Sequence, residues 1–226
     1  MIGTKRFFGW SVAWSAFAIA VFAWGTGFYG PPVFLQSLHA SRGWPISQIS
    51  LAITTHFVLS AMVIACLPDI HRRMGIARTT YFGAVATAAG LVLWSSSSEP
   101  WQLFVAAIPS AAGWAMTSGA ALNAIVAGWF DRDRPMAIAL AFNGASVGGV
   151  VFVPLWVYLI GSIGFRLAAL LVGGCMVAVV AYLCVSFLAR SPDEMGLART
   201  AAHPVNRPGG RSRFCRAPRS SELHVS

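Results

Sequence analysis

The chain has 226 residues, of which 57% are hydrophobic and 10% charged, and its mean hydropathy is +0.67. Soluble domains carry roughly 25% charged residues, so a soluble globular fold is excluded. The 16 Lys+Arg against 7 Asp+Glu leave a net charge of +9, but nucleic-acid binders display such charge on folded polar faces. Here it is confined to short gaps, and no nucleic-acid partner is expected.

Six runs lack Asp, Glu, Lys and Arg, at 7–41, 43–68, 79–98, 100–130, 135–165 and 167–189. A bilayer core about 30 Å thick needs about 20 apolar residues in a helix, and each run is long enough. The sequence predicts an all-α integral membrane protein with six transmembrane helices at about 8–36, 46–67, 79–96, 101–130, 136–160 and 166–189, forming a bundle over residues 1–189. Loops this short make consecutive helices antiparallel neighbours, with the lipid bilayer as the surrounding partner.

With six spans both termini share one side, together with Lys5, Arg6, Arg72, Arg73, Arg78, Arg132, Arg134 and the seven Arg from position 190 onward; Arg42 and Arg166 lie opposite. The split of 14 to 2 predicts cytoplasmic N and C termini by the positive-inside rule. A signal peptide would have a core of about 7 to 15 residues, whereas the first run stays uncharged to Ser41. It is read as a retained helix.

Within that first helix Gly25, Gly27, Gly30, Pro31 and Pro32 predict a bend or thinning of its far half. Such irregular backbone is tolerated at membrane depth only beside protein or a wet cavity. The second helix carries His56, the titratable side chain well inside a span, with Ser60 one turn along. An intramembrane ionisable group suggests a substrate or proton site; a histidine hydrogen-bonded to a neighbouring helix is an equal reading. A basic cytoplasmic loop is predicted at 68–78, and an external turn at 95–100.

The fourth helix contains Pro109, Gly113 and Asn123, the fifth Asn143, Ser146 and Pro154. Amides in hydrocarbon need partners, and interhelical bonds of this kind are worth about 0.6 kcal/mol on average, which favours packing over substrate contact for each alone. Tyr29 and Tyr158 read first as interface anchors. Gly144 and Gly148 form a G-x-x-x-G followed by Gly149, a pattern that lets helix backbones approach closely. Cys66, Cys175 and Cys184 read as small core residues, and no Cys/His spacing suggests a metal. No Walker loop, G-x-S-x-G or H-E-x-x-H appears, so neither an enzyme nor a cofactor is expected.

The stretch Trp129-Phe130-Asp131-Arg132-Asp133-Arg134-Pro135-Met136-Ala137, continuing to Asn143-Gly144-Ala145-Ser146-Val147-Gly148-Gly149, resembles the loop and fifth helix of major facilitator superfamily transporters, more narrowly the monocarboxylate and oxalate/formate antiporter type. Phe8-Gly9-Trp10, Gly27-Phe28-Tyr29-Gly30-Pro31-Pro32 and Arg190-Ser191-Pro192-Asp193-Glu194-Met195-Gly196-Leu197 add to the likeness, which covers residues 7–197. The superfamily's loop signature, roughly G-x-x-x-D-R-x-G-R-R, falls on Pro68, Arg72, Arg73, Gly75 and Arg78; Arg73 and Gly75 match, whereas Pro68 and Arg72 replace the glycine and aspartate.

The resemblance implies two six-helix bundles, each a 3+3 inverted repeat, that rock about a central site in alternating access. This chain would be the N-terminal bundle. Tyr29, His56, Asn123 and Asn143 would face the solute cavity; Arg72, Arg73, Gly75, Arg78, Asp131, Arg132 and Arg134 would serve the cytoplasmic gate; Gly144, Gly148, Gly149 and Pro154 would pack helices. The expected function is half of a secondary transporter in the inner (plasma) membrane for a small solute, with an organic anion or monocarboxylate as the class implied. The basic Arg/Pro/Gly-rich tail at 190–226 is expected to be disordered and cytoplasmic, and suits a truncated or frameshifted product that is inactive without a second half-transporter or a homodimer. The alternative is a non-transporting six-helix scaffold or assembly partner.

Overall fold

The computed structural model describes residues 8–189. The expected tail at 190–226, Lys5 and Arg6 lie outside the described residues. The elements are α1 (Phe8–Ala23), a π-helical turn (Trp24–Phe28), α2 (Gly30–Arg42), α3 (Ile46–Met74), α4 (Ile76–Ser96), α5 (Gln102–Thr117), α6 (Gly119–Ala127), α7 (Arg134–Ile163), α8 (Phe165–Leu183) and a second π-helical turn (Cys184–Leu188). They make six helices long and apolar enough to cross a membrane: Phe8–Arg42, Ile46–Met74, Ile76–Ser96, Gln102–Ala127, Arg134–Ile163 and Phe165–Leu188.

Several boundaries differ from those read off the sequence. The first span continues to Arg42 instead of ending near 36, because the chain passes through the π turn and restarts as α2 with Pro31 and Pro32 in its first turn, where a missing N–H costs nothing. The stretch 68–78, expected as a loop, is helical except for Gly75. Pro68 sits inside α3; it forfeits one backbone bond without ending the helix, and Arg72 binds Asp69 at 2.6 Å across the turn beyond it. The fourth span, expected as one helix at 101–130, is broken at Ser118, whose backbone is extended (φ −77°, ψ −172°). Thr117 Oγ1 donates to the Gly113 carbonyl (2.8 Å) and Ser118 Oγ to that of Ala115 (3.1 Å). Such back-bonding competes with the helix ladder.

Two connections share one geometry. Gly75 between α3 and α4 has φ +80° and ψ 157°, and Gly164 between α7 and α8 has φ +80° and ψ 160°. Each amide donates to the carbonyl four residues back, His71 (2.9 Å) and Ile160 (3.1 Å) respectively. A side chain at this φ would strain the backbone, which is why a single glycine can join two spans. The first span packs on the fifth, the fourth on the second and the third on the sixth, and of the consecutive pairs only the third and fourth pack extensively, so the short connections do not make every sequential pair close neighbours as expected.

The buried hydrophobic residues form three clusters: one includes Val12, Ala16, Leu122, Phe130, Ala141, Met176 and Val180, a second Phe34, Leu91, Phe152 and Trp156, and a third Leu38, Ile49 and Leu103. Cys184 is buried, but Cys66 and Cys175 are exposed on outer helix faces instead of in the core; among lipid-facing residues a thiol is as apolar as its neighbours.

Candidate functional site

The two interrupted spans meet. At 1.5 Å rise per residue, the π turn lies roughly 24 Å along the first span from Phe8, near the middle of that 35-residue span. A π turn leaves backbone groups out of the α ladder, and such turns are frequent at functional sites. Here the wider loop is closed by the Tyr29 N–H donating to the Trp24 carbonyl at 2.8 Å. Trp156 on α7 donates its indole N–H to the Gly25 carbonyl at 3.0 Å, and the hydroxyl of Thr26 donates to the Phe22 carbonyl at 2.8 Å.

Glycines let aromatic rings close on this turn. A Cβ on Gly25 would enter the ring of Phe152, and one on Gly27 would lie 2.6 Å from the ring of Trp114. The indole of Trp114, one turn before the break at Ser118, contacts Trp24 edge-on (centroids 4.9 Å) and stacks on Phe28 (6.2 Å, 26°). Trp24 also meets Phe142 (5.8 Å), and Phe28 meets Phe57 (6.0 Å). Spans one, two, four and five thus contribute to one aromatic wall, on which Phe28 is 46% exposed. The chemistry it offers is apolar contact and the ring faces of Trp and Phe.

The residues singled out from the sequence are distributed unevenly around this wall. Tyr29 is half-buried, its ring against Phe28 (5.1 Å) and over Gly149, where a Cβ would lie 2.8 Å from it. Asn123 is half-buried on α6, five residues past the break, and Asn143 is exposed on α7 next to Phe142. Gly144 and Gly148 press against the Phe17 and Val21 carbonyls of the first span, and Pro154 lies exposed beyond them.

His56 faces the bundle interior. It is 3% exposed, and its Nδ1 lies 2.9 Å from Ser110 Oγ on α5. Trp94 Nε1 donates to the same oxygen at 3.3 Å, and Ser60 Oγ donates to the His56 carbonyl at 2.7 Å. The ring lines an enclosed cavity of about 20 Å³ with Thr26, Gly27, Thr87, Leu91 and Trp94. The histidine expected toward the solute cavity therefore sits behind the first span, because its neighbours on α3 place it on the face turned to α5.

At one end of the bundle Arg72, Arg73, Arg78, Asp131, Arg132 and Arg134 are all exposed, and Gly75 is the connector already described. The Asp69–Arg72 pair, with side chains 65% and 78% exposed, lies within one helix, so Asp69 is engaged locally. The sequence reading named Phe28 only within a motif and did not single out Trp24, Phe57, Trp114 or Phe142 as site residues. The signal was available: tryptophans concentrate at membrane interfaces, and Trp24 and Trp114 lie well inside their runs.

Comparison with known proteins agrees with this architecture. The model of the Major Facilitator Superfamily matches residues 12–219. Monocarboxylate transporter 13 of Bos taurus is 26% identical over 175 residues, covering 76% of this chain and 40% of the relative. Monocarboxylate transporter 11 of Mus musculus is 26% identical over 172 residues, covering 73% and 37%. MFS transporter asaE of Aspergillus flavus is 34% identical over 108 residues, covering 47% and 24%. The chain thus spans about two fifths of the length of the monocarboxylate transporters it matches. With six bilayer-length helices and a family match over most of its length, this chain is a multi-pass membrane protein that belongs to the major facilitator superfamily of transporters.

Proposed function

We propose that this bundle is one half of a secondary transporter for a small organic anion such as a monocarboxylate, working by alternating access against a second six-helix bundle. The observation that carries this reading is the meeting of two helix interruptions, at Trp24–Phe28 and at Ser118, behind a wall of Trp24, Phe28 and Trp114. Discontinuous helices at mid-depth are where transporters bind solute. The rings would hold the apolar part of the solute. The span interiors of this chain carry no Lys or Arg, so a carboxylate would take its full counter-charge from a separate facing bundle; a second copy of this chain would bring none. The charge asymmetry supports cytoplasmic termini and an inner (plasma) membrane location, with Arg72, Arg73, Arg78, Asp131, Arg132 and Arg134 at the cytoplasmic gate.

Binding of labelled lactate, pyruvate and oxalate to the purified chain, together with uptake by proteoliposomes containing it alone, tests the proposal. Carboxylate binding weakened about tenfold by Phe28→Ala, the loss of about 1.4 kcal/mol, is the expected result, with no uptake by the chain alone. Folded protein that binds none of the three would favour the scaffold reading. Uptake by a monomeric chain would overturn its assignment as a half.

A further inference from the structure

His56 is the unresolved element of the fold. Its Nε2 is buried and makes no hydrogen bond of good geometry among the described residues, although the Gly27 carbonyl, on the same cavity, lies close enough to act on the ring. A buried polar atom left unmatched costs about 1–3 kcal/mol, and more is at stake in a membrane-embedded bundle, where no bulk water can relieve it. The ring lines the 20 Å³ cavity shared by α2, α3, α4, α5 and the π turn. One water needs about 10–15 Å³ of this kind of volume and two to four polar neighbours. Thr26 and Thr87 line the same cavity, and their hydroxyl hydrogens are committed to the carbonyls of Phe22 (2.8 Å) and Gly83 (3.0 Å). Each hydroxyl therefore retains only the ability to accept.

The other side of the ring meets Ser110 in either tautomer. Ser110 Oγ can donate once and accept twice. It accepts from Trp94 Nε1, a donor only, at 3.3 Å, and lies 3.2 Å from the Ala107 carbonyl, which can only accept. Ser110 either donates to Ala107 and accepts from a protonated His56 Nδ1 at 2.9 Å, or donates to a bare Nδ1 and leaves the proton on Nε2. In both arrangements Nε2 presents a polar atom to the cavity.

We infer that this cavity binds one internal water molecule, which hydrogen-bonds His56 Nε2 and donates to the hydroxyl of Thr87 or Thr26. The water joins the second and fourth spans, through His56 and Ser110, to the third span or to the π turn of the first. This site is separate from the aromatic wall and stands whether or not the wall binds a carboxylate.

Magic-angle-spinning NMR of the full chain, labelled with ¹⁵N-histidine and reconstituted in phosphatidylcholine/phosphatidylglycerol vesicles, tests the assignment. The His56 signal is identified by its loss in His56→Gln. Water-to-nitrogen polarisation transfer is then recorded with and without a soluble gadolinium chelate. The expected result is a water cross-peak at Nε2 that survives the chelate, and at least halved transfer in the Thr87→Val, Thr26→Val double variant. A missing water cross-peak, quenching by the chelate, or transfer unchanged in the double variant would overturn it.

Discussion

The first and fourth spans contrast with the second and fifth. In the first and fourth, 56% of the most apolar stretch is buried inside the bundle, against 22% and 33% in the second and fifth, yet the more buried pair is the less apolar. The buried pair is also the interrupted one, with the π turn at Trp24–Phe28 and the break at Ser118. Lipid solvates hydrocarbon and nothing else, so a span facing it must be apolar and fully helical. The enclosed spans can carry Thr26, Thr117 and Ser118, whose hydroxyls bond their own helices, and a π turn whose Gly25 carbonyl accepts from a neighbour, Trp156. Among the four spans that contribute rings to the wall, irregularity marks the two that the protein itself surrounds.

This contrast can be broken at its tightest point. Gly148→Leu would drive a side chain into the Val21 carbonyl, 2.5 Å from where its Cβ begins. Overpacking typically costs 1–3 kcal/mol, and because a backbone atom cannot swing aside the expected loss is at the top of that range, about 3 kcal/mol, read as a collapse of the monodisperse peak in detergent and a lowered Tm. Leucine at the exposed Val150, two residues along the same helix, should leave both unchanged. Next in size is Trp156→Phe, which keeps the ring but strands the Gly25 carbonyl. A cost of about 1–2 kcal/mol is expected, whereas Trp101→Phe, at a position 63% exposed, should shift Tm by less than a degree. A larger effect at Trp101 would contradict the claim that the π turn depends on its protein neighbours. The smallest effect is expected at Asp69→Asn. The pair with Arg72 is solvent-exposed within one helix, and such pairs contribute about 0–1 kcal/mol, so denaturation midpoints at low and high salt should differ little from those of the parent chain.

Membrane class and the number of spans were legible because a bilayer imposes a minimum length on every crossing. Helix ends were less so. Pro68 reads as a stop, yet α3 runs six residues past it, since a single lost backbone bond is a small perturbation in a 29-residue helix. Gly75 stood out in sequence as part of a loop signature, but the near-identical dihedrals of Gly75 and Gly164 required coordinates. At the candidate site the sequence drew the eye to polar residues. His56 was found, but its direction was not, and the rings of Trp24, Phe28 and Trp114 were hidden among 15 Phe and 9 Trp.

The sequence by itself determined that the chain crosses a bilayer six times, where the charged gaps fall, and which glycines and prolines disturb the spans. Only the tertiary structure decided which face of each span turns inward. In a soluble helix that face is written as a polar–apolar stripe, but in a membrane the interior and the lipid are equally apolar, so the stripe fades. Packing geometry takes its place: Gly27 admits the indole of Trp114, Gly149 the ring of Tyr29 and Gly148 the backbone at Val21. These contacts join residues more than 80 positions apart, and no local pattern in the chain records them.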